Sequence, residues 1–264
     1  MIYKLYQVDA FTNRLFKGNP AAVVPLDQWL SNEELQAIAS ENNLSETAFT
    51  IPKGDDFELR WFTPAAEVRL CGHATLATAY VFFHELNYNR NNIRFYTKSG
   101  WLNVRKEGDY LSMDFPADVI VEANHQKIIV QQALNIDAIK ALYEGKDDYL
   151  VILEDQSAVE KVQPDFRAVA AIEKRGVIVS AKGKETDFVS RCFFPRYGID
   201  EDPVTGSAHT TMTPYWAKML QKNTLTARQI SKRSGDLICS FQKDRVLLKG
   251  QAKLYMKGEI YIDQ

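Results

Sequence analysis

The sequence predicts a mixed α/β protein (α+β in layout) of two similar halves, each a curved sheet around one buried helix. The first observation is a helix that opens at Gly72-His73 and runs through Ala74, Leu76, Ala77, Ala79, Tyr80, Val81, Phe82 and Phe83, apolar nearly all round. A surface helix would keep one polar face, so this one belongs inside. The second is a repeat. Arg60-Trp61-Phe62-Thr63-Pro64 is matched by Arg191-Cys192-Phe193-Phe194-Pro195, and each run leads to a glycine-initiated apolar helix, at Gly72 and again at Gly206. The second helix carries Met212, Tyr215, Trp216, Met219 and Leu220. A strand, loop and helix recurring in the same order point to duplicated halves. The third is that strand-like runs greatly outnumber helical ones, and one buried helix per half needs a curved sheet around it.

The chain has 264 residues, enough for one large domain or two moderate ones. Hydrophobic content of 45% and charged content of 25% are those of a soluble globular protein. A formal net charge of −2 and the absence of a basic cluster argue against nucleic-acid binding. Cys71, Cys192 and Cys239 are odd in number and widely spaced, which fits a reduced compartment better than a disulfide framework. The N-terminal run Met1–Phe11 alternates like a strand and lacks a signal-peptide core. No apolar run approaches the ~20 residues of a membrane span. A cytoplasmic protein with no membrane or nucleic-acid partner is the expectation.

Taken in order, residues 2–11 and Ala21–Val24 read as strands joined through Gly18-Asn19-Pro20, a turn by composition whose backbone can also line a site. Ser31 and Glu34 form a capping box for a helix carrying Leu35, Ile38 and Ala39. Leu44–Ile51 is a strand entered through a carboxylate, Glu46, and residues 57–62 form the next strand. Ile93–Tyr96, Gly100–Arg105 and Tyr110–Phe115 follow the central helix as a meander. Asp114–Asp118 divides residues 1–115 from 116–264, with the last strand free to return to the first lobe. In the second half Gln126–Leu134 reads as helix or strand, and Asp137–Tyr143 and Asp165–Ile172 as helices. Asp148–Leu153 is a buried strand expected to stand to its central helix as Thr47–Ile51 does to the first. Val177–Ser180, Phe188–Phe194, Thr226–Ser231, Leu237–Gln242 and Arg245–Tyr261 are strands, and Pro214 inside the second helix should remove a hydrogen bond and bend the axis.

Chemistry concentrates at the two helix mouths, Gly72-His73-Ala74-Thr75 and Gly206-Ser207-Ala208-His209. Free N–H groups and the helix dipole favour anions there, so a small carboxylate-bearing metabolite is the natural guest if both mouths converge on one cleft. Against this, Ser207 reads equally as a plain N-cap, Asp202 as a turn residue before the helix, and His73 as a core histidine. Cys-x-x-Cys, His-Glu-x-x-His, a Walker loop and a dinucleotide fingerprint are all missing, so neither metal nor cofactor is expected. Ser207 sits outside the Gly-x-Ser-x-Gly elbow of hydrolases.

These motifs are similar to the signatures of the phenazine-biosynthesis PhzF family. Val8-Asp9-Ala10-Phe11-Thr12 with Gly18-Asn19-Pro20-Ala21-Ala22-Val23-Val24 resembles the family's opening. Leu44-Ser45-Glu46-Thr47-Ala48-Phe49, Cys71-Gly72-His73-Ala74-Thr75 and Asp202-Pro203-Val204-Thr205-Gly206-Ser207-Ala208 match the rest in order. The resemblance implies the diaminopimelate-epimerase-like fold, two pseudo-symmetric halves of mainly antiparallel sheet. It also implies a homodimer and a cofactor-free isomerase with its site between the halves. Glu46 falls on the family's acid/base glutamate, which in the named member relays a proton in isomerising a dihydro-hydroxyanthranilate. His73 and Asp202 fall on its other polar positions, and Ser207 with Gly206, Gly72, Asn19 and Ala74 on the substrate-holding ones. Other enzymes of that fold use two cysteines, each before a helix-initiating glycine. Here Cys71 precedes Gly72 but Thr205 precedes Gly206, which argues against a two-thiol racemase. Cys71 is read as packing, although a helix N-terminus by itself lowers a thiol pKa and favours reactivity. A non-catalytic ligand-binding protein and a Ser207 hydrolase are the competing readings.

Overall fold

A computed structural model describes residues 1–263. The chain divides into two compact units, Met1–Asp114 together with the chain from Lys249 onward, and Phe115–Leu248.

In the first unit the strand Ile2–Ala10 pairs antiparallel with Asn19–Pro25 on one side and Ala252–Tyr261 on the other. Asn19–Pro25 lies parallel to Glu46–Lys53, which turns back antiparallel onto Asp56–Phe62. Ala21, Ala22, Val23 and Val24 are all fully buried, as expected of a strand covered on both faces. On one face Ala22 and Val24 join Leu35, Ile38 and Ala39 of the helix Asn32–Asn42. That helix has the predicted capping box, and Asn43 ends it in the left-handed conformation. On the other face lies the central helix Gly72–His84, buried along most of its length against Ile2–Ala10, Asn19–Pro25 and Glu46–Lys53.

The second unit repeats this layout. Asp148–Ile152 runs parallel to Gly176–Lys182, which turns back antiparallel onto Phe188–Phe194. One face is packed with Val130, Leu142, Val151, Val159, Val169, Val177, Val179 and Phe193, under the short helices Lys127–Ala133, Gln156–Lys161 and Phe166–Ala171. The central helix Gly206–Leu220 packs against Asp148–Ile152, Thr224–Gln229 and Gly235–Gln242, with Trp216 stacked on Phe188 at 5.9 Å.

The register shows how far the duplication goes. Thr47 pairs with Phe62, and Val177 pairs with Phe193, the corresponding phenylalanine of the repeated motif. Arg60 makes a bidentate pair with Glu67 at 2.8 and 2.9 Å and lies over the Phe62 ring. Arg191 does the same with Glu201 at 2.7 and 2.9 Å, over Phe193. The repeated arginine is thus a planar fork held between a carboxylate and a ring in both copies.

Three expectations change. The counterpart of the Glu46 strand is Gly176–Lys182, whereas Asp148–Ile152 corresponds to Asn19–Pro25, because the parallel pairing sets Asp148 opposite Gly176 as it sets Ala21 opposite Glu46. Asp137–Tyr143 is not a helix. Ala141–Glu144 is a strand paired with Asp148–Ile152, and this pairing overrides a locally helix-forming composition. Arg245–Tyr261 is two strands, broken at Gln251. Pro214 is accommodated without ending its helix, since the carbonyl it leaves free, that of Thr210, accepts the Asp118 N–H at 3.2 Å.

Candidate active site

The first central helix begins at Gly72, so His73 stands at its second position and Cys71 just before it, both on the stretch whose N–H groups lack intrahelical partners. Glu46 is the first residue of its strand and pairs in register with Ala21, two residues beyond Asn19. Fold geometry therefore delivers Asn19, Glu46, Cys71 and His73 from three separate elements to one place. All four are buried.

His73 is the hub. Its Nε2 lies 2.9 Å from Glu46 Oε2 as an ion-pair contact, and that buried oxygen makes no hydrogen bond of regular geometry among the described residues. Its Nδ1 lies 3.2 Å from Asn19 Nδ2 and 3.5 Å from Cys71 Sγ. The Asn19 amide suits either form of the ring: its nitrogen donates to a neutral Nδ1, and when turned over its oxygen accepts from Nδ1–H. Burial alone would push the His73 imidazole down. The anionic forms of Cys71 and Glu46, with their hydrogen bonds, outweigh burial and hold His73 well above its ordinary value. Burial and the Glu46 charge push the Cys71 thiol up to about 11, so it is a neutral thiol near pH 7. The charge that favours the imidazolium is then that of Glu46. The Cys71 pKa thus moves opposite to the direction a bare helix N-terminus would give.

A test of the hub is Asn19→Leu, which keeps the branched outline of the side chain but takes away the amide partner of Nδ1. Leaving the buried Nδ1 with only the weak Cys71 sulfur contact should cost about 1–3 kcal/mol of stability, read by urea denaturation.

In the second unit Thr205 occupies the position of Cys71 and Ser207 that of His73. Ser207 is not an N-cap: its Oγ accepts from Arg175 Nη2 at 3.1 Å. Arg175 is fixed by a two-pronged pair with Asp148, a carboxylate buried at 2% exposure, and lies 4.8 Å over the Phe194 ring. Burial pushes the Asp148 carboxyl up against the opposing pull of Arg175. Within its own unit Ser207 therefore meets a guanidinium, while His209 Nδ1–H donates to the Thr205 carbonyl at 2.8 Å. Asp202 accepts from Thr205 Oγ1. Gln229, fully buried, clamps the same loop, donating to the Asp202 carbonyl at 2.7 Å and accepting from the Thr205 N–H at 2.9 Å. Gly206 and Ala74 are buried in their helices and Gly72 is half-buried.

Arg175, Asp148 and Gln229 were not singled out in the sequence. Glu173-Lys174-Arg175 looks like a solvated charged turn, and the one signal against it was the buried strand that follows at once from Gly176. That glycine also explains why the units differ chemically. It stands where Glu46 stands in the repeat, and a Cβ there would lie 2.2 Å from the Phe193 carbonyl oxygen. No carboxylate can occupy the second copy. Among the described residues no helix is long and apolar enough to cross a membrane.

The chain matches the family model of the phenazine biosynthesis-like proteins, PhzC-PhzF, over residues 8–258. An uncharacterized isomerase of Pseudomonas aeruginosa is 50% identical over 258 residues, covering 98% of each chain. The crystal structure of a PhzF-family phenazine biosynthesis protein from Enterococcus faecalis superposes with a TM-score of 0.94 at 46% identity, over 99% of this chain and 100% of that one. A hydroxyproline epimerase from Agrobacterium vitis shares the fold alone, at a TM-score of 0.63 and 10% identity over 100% of this chain and 93% of that one. With the repeated sheet-and-helix units and the motifs in the same order, these matches establish that the chain belongs to the PhzC-PhzF family of phenazine biosynthesis-like proteins.

Proposed function

We propose that the protein is an isomerase that moves a proton between carbons of a small carboxylic acid, with Glu46 as the acid/base group. The observation that carries this reading is the 2.9 Å contact between Glu46 and His73 in a buried setting. A carboxylate there has a dry environment in which to take a proton, and an imidazolium beside it that stabilises the negative charge. His73 orients Glu46 and balances its charge, while Asn19 holds the ring in place whichever proton it carries. The relatives named isomerases support the reaction class. Within the second unit, Ser207, the Gly206 N–H and Arg175 have the chemistry to hold a carboxylate. Asp202 we assign to positioning, through Thr205. The buried neutral thiol of Cys71, and a threonine in the equivalent place, weigh against two-thiol racemisation.

The test is proton exchange. Incubated in deuterated water with the small molecules that co-purify with it, the protein should place solvent deuterium on a carbon of one of them, read by mass spectrometry. A metabolite that binds tightly yet neither converts nor exchanges would replace this reading with that of a binding protein.

A further inference from the structure

We propose that Cys71, His73 and Glu46 form a binding site for a thiophilic divalent cation of the zinc class. The three offer a sulfur, a ring nitrogen and a carboxylate oxygen that all lie within 4.8 Å of one another, and all three residues are buried. Sγ lies 4.0 Å from Nε2, and Nε2 lies 2.9 Å from Oε2. A tetrahedral zinc ion with bonds of about 2.0–2.3 Å needs ligand atoms roughly 3.3–3.8 Å apart, so shifts of under about 1 Å close the set. Mixed thiolate, imidazole and carboxylate ligands with a fourth position left open are a zinc-type set rather than a magnesium or calcium one. A histidine ligand usually has its other ring nitrogen hydrogen-bonded, and Asn19 already stands 3.2 Å from Nδ1. Sequence spacing hides this site, because Glu46 reaches it from a different strand.

Occupancy has a chemical consequence. The ion takes the lone pairs of Glu46 and His73 and displaces the thiol proton of Cys71 and the ring proton of His73. Two protons are released to solvent for each ion bound. No redox change is involved. Binding does not depend on the catalytic reading, whereas loss of turnover on binding rests on it.

Cobalt is the probe. Metal-free protein titrated with Co²⁺ should develop a near-ultraviolet sulfur-to-metal charge-transfer band together with the visible bands of a tetrahedral ion. Cys71→Ser should abolish the charge-transfer band, and Glu46→Gln, with its fold verified by circular dichroism, should weaken binding while the band remains. Asn19→Leu should lower Zn²⁺ affinity by about 10–100-fold through the loss of its hold on His73. Absence of the charge-transfer band at saturating Co²⁺, or its survival in Cys71→Ser, overturns the site. Zinc that binds with this signature and leaves proton exchange intact overturns the catalytic reading instead.

Discussion

Glu46→Gln is expected to yield a folded protein that still binds its ligand and has lost turnover by about 10²–10⁴-fold. The reasoning is local. Glutamine keeps the length of the side chain and an oxygen facing His73 Nε2, so the 2.9 Å contact and the packing survive. It gives up both the basic lone pair and the negative charge. The first loss removes the group that takes the proton. The second removes what holds His73 above its ordinary pKa, so the ring reverts towards the neutral form that burial favours. About 3–5 kcal/mol of transition-state stabilisation disappears, with little change in ground-state binding. Deuterium incorporation and ligand calorimetry on the same preparation separate the two. Glu46→Gln with full exchange would remove Glu46 from the mechanism, whatever else the cluster does.

The parts of the two helix mouths legible in the sequence are those fixed by local signals. Gly72 and Gly206 announce helix starts, and a polar side chain one position later is at a helix mouth by construction. Glu46 was visible through its motif, although a glutamate at a strand entrance is ordinarily solvated. Its burial follows from the parallel pairing with Ala21, which joins segments far apart in sequence. Register, too, is set by pairing that local sequence does not display. Asp148–Ile152 and Gly176–Lys182 are both apolar runs behind a polar residue, and only their pairing shows which one corresponds to the Glu46 strand. Arg175 and Asp148 escaped for the same reason: each looks like surface charge until the pair is brought together under a buried sheet end. The state of Cys71 was likewise unreadable from position alone, since burial beside a carboxylate reverses the effect of the helix terminus.

A second large effect should appear in stability rather than turnover. His209 sits one turn into the second central helix, fully buried, with Nδ1–H committed to the Thr205 carbonyl and Nε2 without a hydrogen-bond partner among the described residues. Burial pushes its pKa down to about 4. The unfolded chain takes up this proton near pH 6.5 and the folded one near pH 4, so between those values the unfolded state binds more protons and stability falls as pH falls. Above about pH 6.5 the ring is neutral in both states and contributes no pH dependence. His209→Leu, which cannot titrate, should start out less stable at neutral pH, because the Thr205 carbonyl loses its donor. On going from about pH 7 to about pH 4.5, however, it should lose about 2 kcal/mol less than the unsubstituted protein. Urea unfolding curves at the two pH values measure this difference, and the shared titration of surface carboxylates cancels between the proteins. Parallel losses in the two would mean that the imidazole at position 209 finds an acceptor for its second proton, and that the helix mouth in the second unit is wetter than its packing against Phe188 implies.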